Sequence, residues 1–245
     1  GLTDVWDDGP NYIRGHWLNG RTGSQLLSTV VRELCQRSGM SDPDVSRLHG
    51  LVRGYATNEL GSARTTLEPL MLAFGFDAHE RDGTLVFRNR TARVADRIDA
   101  GAVARNPDRE TDLSRGRDSE AESPARVRLS YVSADGNYEV KAMETALPGA
   151  EGETVSSSEM NLVLSAAEAR AITERWMAEA RVARDNVQFA LPPSRLALSA
   201  GDVVEVDGAG GAARYRIDRS DQLGLQIVEA VRVEPAVYLP GPPVE

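Results

Sequence analysis

The side chains able to do chemistry are few and scattered. The three histidines are His16, His49 and His79, and none has a His or Cys three or four residues further on, so no helical metal pair is encoded. His79 falls beside Glu80 in a strand pattern, where an exposed strand residue is the plain reading. Asp42, Asp44 and Ser46 imitate the first ligands of a calcium loop, but Arg47 stands where the loop needs Gly and Arg53 where it needs Glu. Two acidic residues at the positive end of a short helix account for them better. Gly208–Gly211 lacks the Lys-Ser/Thr of a phosphate loop and reads as a flexible hairpin connection. Cys35, the single cysteine, lies on an apolar helical stripe, so it reads as a small core residue and excludes an internal disulfide or a Cys-based zinc site. No GxSxG occurs, and among 37 Asp and Glu residues chance pairs are expected. A cell-wall hydrolase needs a cleft carboxylate of raised pKa, and the sequence singles out none. The reading is therefore no catalytic residue, no metal ligand and no cofactor.

The elements that carry these residues are better defined. The most strongly patterned stretch is Gly15–Arg90. Leu26, Leu27, Val30, Val31, Leu34 and Cys35 fall on one face of a helix predicted over Thr22–Ser38, stopped by Gly39. Asp42 and Pro43 predict a short helix start, with Val45 and Leu48 facing inward. Leu51–Thr57 is a strand candidate. A second helix lies in Ser62–Phe74, with Ser62 and Thr65 as competing caps; Pro69, easier near a helix start, favours Thr65. Its stripe is Leu67, Leu70, Met71 and Phe74, and Gly75 ends it. Phe76–Arg81 and Thr84–Arg88 flank Asp82-Gly83, a type I′ hairpin signal.

Residues 91–125 are polar and nearly free of aromatics, an extended connection with a short strand near Arg93–Ile98. From Val127 the hydrophobic period becomes two, at Val127, Leu129 and Tyr131, then Tyr138, Val140 and Ala142, then Thr154–Leu164. Ser165 and Glu168 form a capping box opening a helix to about Arg184, with Ala169, Ile172, Trp176 and Ala183 on its buried side. Strands are expected again at Asn186–Leu191, Leu196–Leu198, Asp202–Asp207, Arg214–Asp218 and Gly224–Val233. The fold class is α+β: a small helix-strand-helix-hairpin module plus an antiparallel β-barrel-type domain with one long helix. The expected parts are 1–95, a polar connection over 96–125, a barrel-like domain over 126–238 containing the helix 165–184, and a Pro-rich linker over 239–245.

A net charge of −9 and a pI near 5.0 argue against a general nucleic-acid binder. No run of 18 apolar residues occurs, so no membrane span is expected. The first residues have neither a basic region nor an apolar core of a signal peptide, and with no initiator Met and a linker-like end the chain reads as a segment of a longer one.

Several phrases carry a family resemblance: Trp17-Leu18-Asn19-Gly20-Arg21, Val52-Arg53-Gly54-Tyr55, Ser62-Ala63-Arg64, Leu67-Glu68-Pro69-Leu70 and Phe74-Gly75-Phe76-Asp77. Val127-Arg128-Leu129-Ser130-Tyr131 and Phe189-Ala190-Leu191-Pro192-Pro193-Ser194-Arg195-Leu196 extend it. These resemble the hub region of the large tail-tip protein, the megatron or host-specificity protein, of alphaproteobacterial gene transfer agents and related long-tailed phages. The resemblance implies a baseplate hub that connects tail tube to tip around a central channel. It also implies a homotrimer among other tail and baseplate proteins; in such a channel the acidic charge of the chain would repel passing DNA, which is expected to move through without specific binding. Such a subunit would be assembled in the bacterial cytoplasm and end in the virion tail. Two other functions are weighed against it. A tail-tip cell-wall hydrolase would clear peptidoglycan sacculi. A receptor- or glycan-binding module would present an aromatic platform from Trp6, Tyr12 and Trp17.

Overall fold

The computed structural model describes residues 23–40, 42–57, 62–99, 101, 103–106, 111–120, 123–135, 137–146, 154–207, 211–223 and 225–238. The expected strand at Tyr12–Leu18, the aromatics Trp6, Tyr12 and Trp17, His16, Gly208–Gly210 and the linker 239–245 lie outside the described residues.

Strand β1 (Gln25–Leu26) precedes helix α1 (Leu27–Arg37). The helix starts later than its periodicity predicts because Gln25 and Leu26 pair with Val52 and Leu51 of β3 (Leu51–Val52), so a ladder replaces the first helical turn. Leu27, Val31, Leu34 and Cys35 form its buried stripe, while Leu26, expected on the same face, lies in β1 and is exposed. The predicted short helix after Pro43 is instead strand β2 (Asp44–Arg47), with Val45 and Leu48 buried all the same. Helix α2 (Ala63–Phe74) is capped by Ser62, whose hydroxyl accepts from the Thr65 N–H; Pro69 sits inside the helix rather than near its start. Gly75 ends it in the left-handed conformation, φ 60°. Strands β4 (Phe76–Arg81) and β5 (Thr84–Asn89) meet at Asp82 and Gly83, whose φ values of 51° and 74° fit the predicted type I′ turn. Strand β2 joins β5 in parallel, giving the order β2-β5-β4.

A second three-stranded sheet has the order β10-β8-β9, from β8 (Arg126–Ser133), β9 (Val140–Ala146) and β10 (Val155–Leu164). Helix α3 (Ala166–Val182) covers its inner face and begins with the predicted capping box, Ser165 and Glu168 each holding the other's backbone. This layer shares one apolar core with the first module: Leu129, Tyr131, Met160, Leu162, Leu164, Ala169 and Ile172 pack in the same cluster as Leu27, Val31, Leu70, Phe76 and Phe87. The apolar contacts thus span the polar stretch between residues 96 and 125.

The remaining strands are β6 (Val94–Ile98), β7 (Leu113–Arg117), β11 (Asp185–Leu191), β12 (Val203–Val206), β13 (Ala213–Leu223) and β14 (Leu225–Arg232). They form a six-stranded sheet ordered β6-β12-β13-β14-β11-β7. Its core includes Ile98 of β6, Val187, Phe189, Val204, Ile217 and Val228, with Leu113 of β7 packed against it. Residues from both edge strands share one cluster, so the sheet is rolled. Where a β-barrel was expected, it stays open among the described residues: no ladder joins β6 to β7, and Ala104 N–H donating to Ala190 O (2.8 Å) and Arg115 donating to Asp207 O (3.0 Å) span the gap. Nor is pairing purely antiparallel, since β6 with β12 and β8 with β10 run parallel. The predicted strand Leu196–Leu198 is instead the exit of a 3-10 turn, Pro193–Arg195, because Pro192 and Pro193 fix the backbone and remove two donors. Strands β6 and β7 both come from the polar stretch, and their charged residues suit exposed sheet edges. The α+β class stands.

Candidate functional site

The sequence candidates do not converge. His49 is exposed, its N–H donating to Asn89 Oδ1 (2.7 Å). The Asp44 carboxylate accepts from the Ser46 N–H (2.9 Å), a local turn and not a ligand set. Cys35 is fully buried and its thiol is pushed up by that burial, as a core residue should be. Among the described residues no three His, Cys, Asp or Glu side chains are placed to hold a metal ion, and no helix is long and apolar enough to cross a membrane.

The polar chemistry gathers instead where the first core meets the rolled sheet. The β4–β5 hairpin alternates, placing Asp77 and His79 of β4 and Arg88 of β5 at one side, with Arg90 following. Arg90 donates to both oxygens of Asp77 (2.9 and 2.8 Å) and to Glu179 of α3 (2.8 Å). Arg216 of β13 lies 3.8 Å from Asp77 and 3.0 Å from Asp218. Arg88 donates to Asp202 (2.9 Å) and to the Ala200 carbonyl (2.8 Å), both in the turn before β12. Arg175 of α3 donates to the Leu72 and Ala73 carbonyls (2.6 and 2.8 Å), satisfying the C-terminus of α2 and opposing its dipole.

Burial alone would raise the Asp77 carboxyl, but the Arg90 bonds and the charges of Arg90 and Arg216 hold it below the usual range. Burial likewise works against the Arg90 cation, yet Asp77 and Glu179 outweigh it and keep the guanidinium firmly charged. A cavity of about 230 Å³ opens beside this cluster, lined by Arg90, Trp176, Glu179, Arg216 and Tyr238. The Tyr238 hydroxyl is pushed up to about 12 by burial and by Glu179. Asp44 through Ser46 and Asp96 through Arg195 are held low. Glu168 is raised by burial but held low overall by Ser165 and Arg53. All three, with Asp77, are displaced opposite to what a general acid requires. The arrangement is a clamp between two apolar cores.

Sequence reasoning missed this junction. The signal available was the alternation of charge along Asp77, His79, Arg88 and Arg90; their partners Glu179, Asp202 and Arg216 lie about a hundred residues on and carry no mark of their own.

The Phage-tail_3 family model, describing phage tail proteins, matches residues 62–220. The chain belongs to the phage tail protein family. Over 98% of its length this tail protein is 51% identical to a chain in the virion of a native gene transfer agent particle, with a TM-score of 0.86. It spans 54% of that chain's length. A tail protein from Neisseria meningitidis MC58 shares the fold at 11% identity (TM-score 0.57, 89% of this chain and 69% of that one). So does the 43 kDa tail protein of prophage MuSo2 from Shewanella oneidensis, at 13% identity (TM-score 0.54, 96% and 72%). A search of curated proteins found no match.

Proposed function

We propose that this chain is a non-enzymatic hub or tip subunit in the tail of a gene transfer agent, one part of a larger host-specificity protein. It connects the tail tube to the tip around the central channel. The supporting observation is the 51% identity, along 98% of the chain, to a chain of the gene transfer agent virion. At that identity the fold is retained, and the work of a hub is contact. The subunit assembles as a homotrimer in the bacterial cytoplasm, with other tail and baseplate proteins as neighbours. A ring of this kind uses head-to-tail interfaces that close by rotation. The rolled sheet forms the ring and the opening module braces it. With a net charge of −9, a channel lined by such subunits repels passing DNA and does not retain it.

Cross-linking of assembled particles followed by mass measurement tests the ring. A trimer is expected; a chain that remains monomeric inside particles overturns the reading. Incubation with peptidoglycan sacculi tests the non-enzymatic part, where clearing of turbidity would replace it with a hydrolase.

A further inference from the structure

His79 lies in the contact between β4 and the turn before β12, and its surroundings disfavour the charged ring. Its Nε2 is sealed from solvent and has no hydrogen-bond partner in the protein. The ring packs against the backbone of Gly201, held at φ 81°; a Cβ there would sit 2.4 Å from Nε2 and 2.6 Å from the Arg88 guanidinium. Every charged group around it is committed elsewhere. On its own strand, Asp77 accepts from Nε and Nη2 of Arg90. On β5, Arg88 is bound to Asp202 and Ala200. On the turn, Asp202 also accepts from the Ser199 N–H and hydroxyl. On β13, Asp218 is paired with Arg216. A proton on Nε2 would place a new cation beside two guanidiniums with no free carboxylate to receive it.

We propose that His79 makes this junction acid-sensitive, so that protonating its ring parts the β4–β5 hairpin from the Gly201–Asp202 turn while both apolar cores stay folded. The device acts on the mutual arrangement of the two cores, the property a hub must keep fixed or change in a controlled way. It does not depend on the proposed function, since it needs only the intramolecular contact.

The direction follows from linkage. In the closed junction burial holds the ring below its ordinary value, with Arg88 and Arg216 adding to the effect against Asp77 and Asp218. In the open junction the ring regains a value near 6.5. Opening therefore takes up a proton between the two values: its equilibrium constant rises by up to about tenfold per pH unit as the pH falls from about 6.5 to the closed-junction value, and levels off below that.

The test is histidine ring NMR titration together with hydrogen exchange on the 245-residue chain and on His79→Gln. The expected result is that the Arg88 guanidinium protons, held across the junction by Asp202 and the Ala200 carbonyl, exchange up to about tenfold more per pH unit, after division by the intrinsic rate, as the pH falls from about 6.5 to the closed-junction value. Amides inside α3 stay flat, and His79→Gln removes the slope. The same slope in His79→Gln, or no slope in the unmodified chain, overturns the proposal. Should His79→Gln fail to fold, the titration decides: a His79 midpoint clearly below 6.5 supports the device, and one at or above 6.5 sinks it.

Discussion

Arg90 closes a bidentate pair on Asp77, its Nε 2.9 Å from Oδ2 and its Nη2 2.8 Å from Oδ1, and spends its remaining arm on Glu179 at 2.8 Å. One side chain thereby ties the hairpin to α3, with Asp77 also 3.8 Å from Arg216 of the rolled sheet.

Removing Arg90 leaves two carboxylates poorly paired in a confined space. Arg90→Ala is expected to destabilise the chain by about 3–5 kcal/mol, the usual cost of breaking a buried pair from one side. The double variant Asp77→Asn with Arg90→Ala is expected to lose less than the sum of the two single variants. Urea unfolding of all four proteins checks this, and strict additivity would show that the pair is not coupled.

The same pair gives a pH dependence. The Asp77 carboxyl is held below its unfolded value, so its contribution is fully present above about pH 4 and disappears as the pH falls through the lower folded value. The gap in Tm between the unmodified chain and Asp77→Asn should therefore be constant from pH 5 upward and shrink below pH 4. A gap that widens on acidification contradicts the assignment.

Two glycines separate backbone strain from crowding. Gly83 has φ 74° with open space where a Cβ would go, whereas Gly201 has φ 81° and no room beside His79 and Arg88. Gly83→Ala should cost roughly 1–2 kcal/mol, the left-handed penalty alone. Gly201→Ala adds overpacking, for a total of roughly 2–5 kcal/mol. Thermal unfolding ranks them, and equal costs would mean that the Gly201 contact relaxes freely.

The hairpin is anchored by Phe76 and Phe87, both fully buried and meeting edge to face with centroids 6.1 Å apart. Either residue changed to Ala should lose about 3–5 kcal/mol. Ser165→Ala, which removes only one half of the α3 capping box, should lose about 1 kcal/mol. A reversal of that order in denaturant melts would place the stability of the first core in its helix starts and not in its packing.

Elements set by near neighbours in the chain were legible from residue types. The Ser165–Glu168 box, the Gly75 stop and the Asp82-Gly83 turn each depend on contacts within a few residues. Elements set by distant pairing were not. Asp42-Pro43 carries a helix-start signal, yet residues 44–47 become a strand because β5 offers them a ladder some forty residues away. The rolled sheet was legible as β-rich, but its strand order was not, since period two says which face a residue takes and nothing about which strand lies beside it.

The sequence by itself determined the α+β class, the Asp82-Gly83 turn, the Ser165–Glu168 cap and most of the buried stripes, because these follow from backbone stereochemistry and hydrophobic periodicity. Tertiary structure alone decided that residues 27–87 and 129–172 share one core, that the large sheet stays open, and that Asp77, Arg90, Glu179 and Arg216 meet. The physical reason is that an ion pair has no periodicity. Its partners are fixed only when two packed bodies bring them within reach, and a lone Glu or Arg in the chain looks the same whether it ends up in solvent or in the clamp.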